Sequence, residues 1–328
     1  MRKYYSIYIG LIALLGLASC EDIVEIDLEE GETQFVVDAF INNQFKEQQI
    51  RLSYTKPYFQ SSRADAVVGA TVTVEELNGS GRVLSFTDPD EDGIYTWMPA
   101  SEADTLMIHA RTAEGVKGDF YENQYRLEVQ HGEYTFESYT SIERVPSIDS
   151  LKLVTVEASL FFPVETIVGE LWATDFQGKD DFYWLKTWKN GRLLDKVQEI
   201  VLVHDIIPGL NNNPLSDGTP FIPPVRLGVN PTADADDAFN TPFYEVGDSI
   251  YVELHSITGT GFNFMSEMQS NMSNGGLFAP PIVNVPTNII PMNEKSEGKV
   301  VGIFCGSAIS TIGVKITEQP PKDDSFGF

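Results

Sequence analysis

QFVVDAFI (residues 34–41), QQIRLSYT (48–55) and ATVTVEEL (70–77) decide how this chain is read. Each is short, rich in β-branched or aromatic residues, and followed by residues that favour turns. In Arg51, Leu52, Ser53, Tyr54 and again in Thr71, Val72, Thr73, Val74, polar and apolar residues alternate. That period of two belongs to a sheet with one wet face. Working outward, RVLSF (82–86), IYTW (94–97), DTLMIHAR (104–111) and QYRLEVQ (124–130) continue the pattern. Their spacing of roughly ten residues predicts an antiparallel sandwich, with few helical periods before residue 140. The expectation is an all-β fold whose first domain, residues 33–144, is an immunoglobulin-like β-sandwich.

Val145-Pro146-Ser147 opens a second β-rich domain, taken as residues 145–318, with LKLVTVE, GELWATDF, DFYWLKTWKNG and KVQEIVLVHD as strands. Asn190-Gly191 predicts a tight hairpin, because both residues tolerate positive φ. Residues 207–243 are rich in Pro, Asn and Asp and read as one long loop. GDSIYVELHSI restores the strand pattern. Thr260 can then cap a single helix over 261–273, where Phe262, Met265, Met268 and Met272 recur at helical spacing until Asn274-Gly275-Gly276 stops it. Such a stripe reads as core. KVVGIFCGSA and STIGVKI are the last two strands, and an acidic tail covers 319–328.

The amino end has a different character. Arg2 and Lys3 precede an apolar run, Ile7 to Leu17, too short to span a bilayer. Leu17, Ala18, Ser19 and Cys20 then resemble the bacterial lipoprotein box. That resemblance makes 1–19 a signal peptide, Cys20 the site of lipid attachment and 20–32 an acidic tether. Two or three acyl chains would hold the protein durably on a membrane. With Cys20 lipidated, Cys305 has no disulfide partner within the chain and reads as a small buried hydrophobe.

The chain carries 22 basic and 48 acidic residues, a formal charge of −26. Loss of Arg2 and Lys3 with the signal would take it to −28. A surface this acidic repels phosphate backbones and anionic lipid heads, which excludes nucleic acid as a partner. With 42% hydrophobic residues the chain has ample material for a core.

Residues that could carry chemistry are sparse. Asp88, Asp90 and Asp92 alternate and Gly93 follows, as in the first half of a calcium loop. The twelfth position holds Pro99 in place of a bidentate glutamate, and both flanks read as strands, so this is no EF-hand. A hairpin turn accounts for the same residues through backbone geometry. TADADD (232–237) is a second acidic loop of weaker spacing. His109, His131, His204 and His255 form no zinc-binding pair, and no nucleophile elbow or phosphate-cradling glycine loop occurs. Trp172, Trp184 and Trp188 with Phe182 and Tyr183 crowd the second domain, as core or as a platform for sugars or peptides. Alternation puts Phe182, Trp184 and Lys186 on one face of a strand and Tyr183, Leu185 and Thr187 on the other.

The lipobox, FVVDAFI, DGIY, YVELHSITGTGFNFM, GGLFAPP, PTNI and GKVVGIFCGSA occur in that order. Together they resemble domain-of-unknown-function family 4249 (DUF4249), lipoproteins of Bacteroidota. Where that family commonly shows Gly-Asn-Ile, this chain has Thr287-Asn288-Ile289. The resemblance implies an outer-membrane lipoprotein encoded beside TonB-dependent receptors, and Glu21 and Asp22 loosely fit the signal for the outer face of that membrane. The function expected is non-catalytic: an accessory to a TonB-dependent transporter that recruits substrate or covers the channel mouth. The 207–243 loop and the helix with GGLFAPP are its candidate contacts. A stand-alone glycan- or peptide-binding lipoprotein is the first alternative, and a carboxylate-dependent hydrolase the second. No cofactor is expected beyond a structural calcium at Asp88, Asp90 and Asp92.

Overall fold

The computed structural model describes residues 32–57, 62–77, 80–108, 124–158, 164–177, 181–204, 218–232, 243–273 and 285–323. Seven strands come before residue 145: β1 Phe35–Asn42, β2 Gln48–Tyr54, β3 Thr71–Glu76, β4 Val83–Phe86, β5 Ile94–Trp97, β6 Gln124–His131 and β7 Tyr134–Ser141. Eight follow: β8 Ile148–Val156, β9 Thr166–Ala173, β10 Phe182–Lys189, β11 Arg192–Leu193, β12 Val201–His204, β13 Ser249–Ile257, β14 Ile290–Pro291 and β15 Val300–Lys315. Two α-helices are described, α1 Pro223–Arg226 and α2 Gly259–Ser273. The fold is mostly β and built of several sheets, as the alternation predicts.

KVVGIFCGSA and STIGVKI are not two strands but one, the 16-residue β15. Its first half lies parallel to β1, Phe35 opposite Val300 through Asn42 opposite Ser307. Its second half lies antiparallel to β13, Ala308 opposite Ser256 through Lys315 opposite Ser249. An eight-stranded sheet follows in the order β11-β10-β13-β15-β1-β2-β5, with β12 also on β10. A five-stranded sheet, β14-β7-β6-β3-β4, packs over the β1 end, and β8 pairs with β9 as a third. β15 is buried on both faces from Gly302 to Ile309, which explains its unbroken apolar run.

Two cores form, but the expected boundary between residues 144 and 145 separates neither the cores nor the sheets. Val37, Ile50, Leu127 and Phe136 belong to the first core, and Phe304 and Ala308 from β15 join them. Tyr183, Leu185, Val252 and Leu254 build the second, and Val145 packs against both. The first sandwich is therefore completed by β14 and β15, from the far end of the chain.

Three glycines let β15 sit so closely. Gly302 has φ +114, and a Cβ there would overlap the Val37 carbonyl oxygen. At Gly306 a Cβ would lie 2.5 Å from the Ser141 carbonyl oxygen. Gly261 of α2 leaves room for the Cys305 Sγ, 2.5 Å from where its own Cβ would be.

Other expectations shift. The helix begins at Gly259, and Thr258 caps it by accepting the Gly261 N–H at 3.1 Å, in place of Thr260. Its methionine stripe is not core: Met268 and Met272 are exposed, while Phe262 and Phe264 pack onto Cys305 and Ile303. DTLMIHAR gives no strand over 105–108, because the Tyr125 hydroxyl takes the Met107 N–H and donates to its carbonyl, as a neighbouring strand would. Within the expected loop 207–243, residues 218–232 are ordered around α1, and Phe221, Val225 and Val229 fill the second core. Residues 207–217 and 233–242 lie outside the described residues. Asn190 and Gly191 form the predicted hairpin, with φ of 53° and 79°.

Candidate functional site

The face of the eight-stranded sheet turned away from the second core holds a buried polar network. On β10 the buried side chains are Tyr183, Leu185 and Thr187, so Phe182, Trp184, Lys186 and Trp188 turn away from the second core. Cross-strand pairing places Trp184 beside His255, Lys186 beside Glu253 and Trp188 beside Tyr251 on β13. His255 Nε2 lies 2.8 Å from Glu253 Oε2, and its Nδ1 lies 3.2 Å from Ser307 Oγ on β15. Lys46, from the turn after β1, reaches Glu253 Oε1 at 3.6 Å, and the Tyr251 hydroxyl donates to that oxygen at 3.3 Å.

Burial sets the charges here. His255 is 6% exposed; desolvation holds its pKa below the ordinary value, and Lys186 and Lys46 oppose protonation further. We assign it as neutral, with Nε2–H donating to Glu253 and Nδ1 accepting from the Ser307 hydroxyl. Burial works against ionised Glu253, but the hydrogen bond from His255 and the two lysines outweigh it and hold its pKa below the usual range. Lys186 is pushed down, chiefly by desolvation.

A serine, a histidine and a carboxylate in series suggest a nucleophile relay. Ser307, however, is 2% exposed. Trp184 lies over His255 at 5.5 Å between ring centroids, and Phe40 closes against Trp184 at 5.7 Å. Asn43 and Gln44 seal the side by bonding to the Ile309 N–H and carbonyl. The series is a closed structural network in this geometry.

Next to it the face opens. Lys186 Nζ lies 4.6 Å from the Trp184 ring centroid and 5.5 Å from that of Trp188. Trp188 and Tyr251 rings are 5.4 Å apart, and Tyr251 is 41% exposed. No ion pair or hydrogen bond to Lys186 Nζ occurs among the described residues. A shallow groove elsewhere, between α2 and Val197 and Gln198, is lined by Ser266, Gln269, Ser270 and Ser273 and contains no titratable side chain.

Of the sequence-derived candidates, Phe182, Trp184, Trp188 and His255 lie on this face, and the aspartates of the calcium reading do not. Asp88 accepts the Asp92 N–H at 3.1 Å and the Gly93 N–H at 2.9 Å, while Asp92 accepts from Ile94 at 3.0 Å. Those are the bonds of an Asp-Gly turn. Among the described residues, no group of three or more His, Cys, Asp or Glu comes together to hold a metal. His131 packs edge-on to Phe35, and His204 stacks on Phe182. Cys305 is buried, and desolvation raises its thiol pKa. Cys20, His109 and residues 233–237 of the TADADD loop lie outside the described residues. The Glu253–His255–Ser307 network escaped the sequence reading, although Y-x-E-x-H in YVELHSI places Tyr251, Glu253 and His255 on one strand face.

Fold and site together define a mostly-β protein of several packed sheets with a closed polar network and a neighbouring aromatic strip. Residues 21–118 and 121–312 match the family described as Domain of unknown function (DUF4249), and the chain belongs to that family. No curated protein matches the chain.

Proposed function

We propose that this is a lipoprotein held through Cys20 in the outer membrane, facing outward, and acting without catalysis beside a TonB-dependent transporter. It recruits substrate or covers the channel mouth. The observation that carries this is the box Leu17-Ala18-Ser19-Cys20, placed directly before an acidic segment that leads into β1. Residues 21–32, fully extended, would reach at most about 40 Å from the lipid. The described body begins just before β1, where the Phe35 N–H bonds to the Lys299 carbonyl. No helix among the described residues is long and apolar enough to cross a membrane. With a formal charge of −28 once residues 1–19 are removed, the body would be repelled by anionic lipid, so attachment falls to the acyl chains. The closed setting of Ser307 and His255 supports a binding role over hydrolysis.

Affinity capture from detergent-solubilised outer membranes, read by mass spectrometry, tests the partnership. Co-recovery of a TonB-dependent barrel in near-equal amount is expected. Recovery of the lipoprotein alone under gentle detergent contradicts it.

A further inference from the structure

Trp184, Lys186 and Trp188 alternate along β10, so a ring, a cation and a ring follow one another at about 7 Å intervals on one face. We propose that this strip binds a carboxylate-bearing oligosaccharide, with Lys186 pairing the sugar carboxylate and Trp188 and Tyr251 carrying the adjoining sugar ring. The inference is independent of the anchor, because the strip would bind whether or not the chain is lipidated.

The unpaired lysine is the first reason. In a chain with 48 acidic residues, none makes an ion pair with Lys186 among the described residues. Glu253, directly across the ladder, is committed to His255, Tyr251 and Lys46. Glu253 and Asp38 act on the partly desolvated ammonium from a distance, but neither makes a direct ion pair with it, and an incoming carboxylate would supply that contact.

The second reason is shape. Trp188 and Tyr251, 5.4 Å apart, present aromatic surface beside the cation, with Trp184 as the inner wall against Phe40. Flat aromatic faces suit the C–H faces of sugar rings. A peptide would be better served by an open sheet edge, and β10 offers little of one along the strip: β13 pairs with one side over its full length, while on the other β12 pairs with residues 182–185, β11 with residues 188–189, and the Leu194 N–H bonds to the Thr187 carbonyl between them.

Titration calorimetry on the full chain tests this with trigalacturonate as probe, and with maltotriose and penta-glutamate as neutral and peptidic comparisons. Saturable binding of trigalacturonate is expected, weakened by salt and by about tenfold or more in Lys186→Met and in Tyr251→Ala. Neither comparison ligand should saturate. A melt of Lys186→Met under the calorimetry conditions should show a cooperative transition well above the working temperature, so lost binding would not reflect unfolding. The proposal is overturned by absent trigalacturonate binding, by equal affinity in Lys186→Met, or by penta-glutamate binding as tightly.

Discussion

Asn288 holds both backbone groups of Phe304. Its Nδ2 donates to the Phe304 carbonyl at 2.8 Å, and its Oδ1 accepts the Phe304 N–H at 2.9 Å. Phe304 sits mid-way along the half of β15 that pairs with β1 on its other side. One side chain therefore stands in for a neighbouring strand. Thr287 donates to the Gly302 carbonyl and Thr140 accepts the Gly306 N–H, extending the same substitution in both directions. Asn288→Ala should lower stability by about 1–3 kcal/mol by leaving buried backbone groups unpaired. Asn288→Asp should fail to rescue it, because Asp cannot donate to the carbonyl. Urea melts of the three proteins check this, and parental stability in either variant would contradict it.

Gly261 and Cys305 are matched in size. Gly261→Ala should cost about 1–3 kcal/mol, because its Cβ would fall 2.5 Å from the sulfur. Combining it with Cys305→Ala should cost less than the sum of the two single changes. A double-mutant cycle measures that coupling, and simple additivity would show that the contact is not the cause.

The Asp88 carboxylate spends its oxygens on the backbone of its own turn. Asp88→Ala should therefore lower the melting temperature, by about 1 kcal/mol of stability, with no added calcium. For the wild-type chain, chelator and millimolar calcium should leave the melting temperature unchanged. A rise with calcium would instead assign Asp88, Asp90 and Asp92 to a metal.

Acid should weaken the fold through His255 and Glu253. Both have folded pKa values below their ordinary ones of 6.5 and 4.5, so the unfolded chain binds protons first. Their stabilisation is complete above pH 6.5, declines below it as histidine protonation favours the unfolded chain, and declines further below pH 4.5 with the carboxylate. His255→Gln should flatten the upper part of that decline. Melting temperature against pH tests the assignment, and an unchanged slope between pH 6.5 and 4.5 would refute it.

Strand positions were legible wherever one face is apolar, as in β1, β2, β3 and β10. β7 was not, because its inward residues include Ser138 and Thr140, whose hydroxyls serve the Asn288 carbonyl and the Gly306 N–H. Polar side chains used in place of a strand erase the alternation that marks one. The pairing of β1 with β15 was hidden for another reason: nothing local to either segment records a partner so distant in sequence. At the candidate site, alternation in DFYWLKTW separated the two faces, and the structure shows which one is core. The buried polar network needed three strands to assemble, and single-strand periodicity sees only one of them.

Everything proposed about location rests on the sulfur of Cys20, so the mass of the membrane-extracted chain is the most direct measurement. Intact mass spectrometry should find residues 20–328 carrying a diacylglycerol on Cys20, with or without an acyl group on its new amino terminus. A chain that retains residues 1–19, or one cut there but bearing no lipid, would contradict the account.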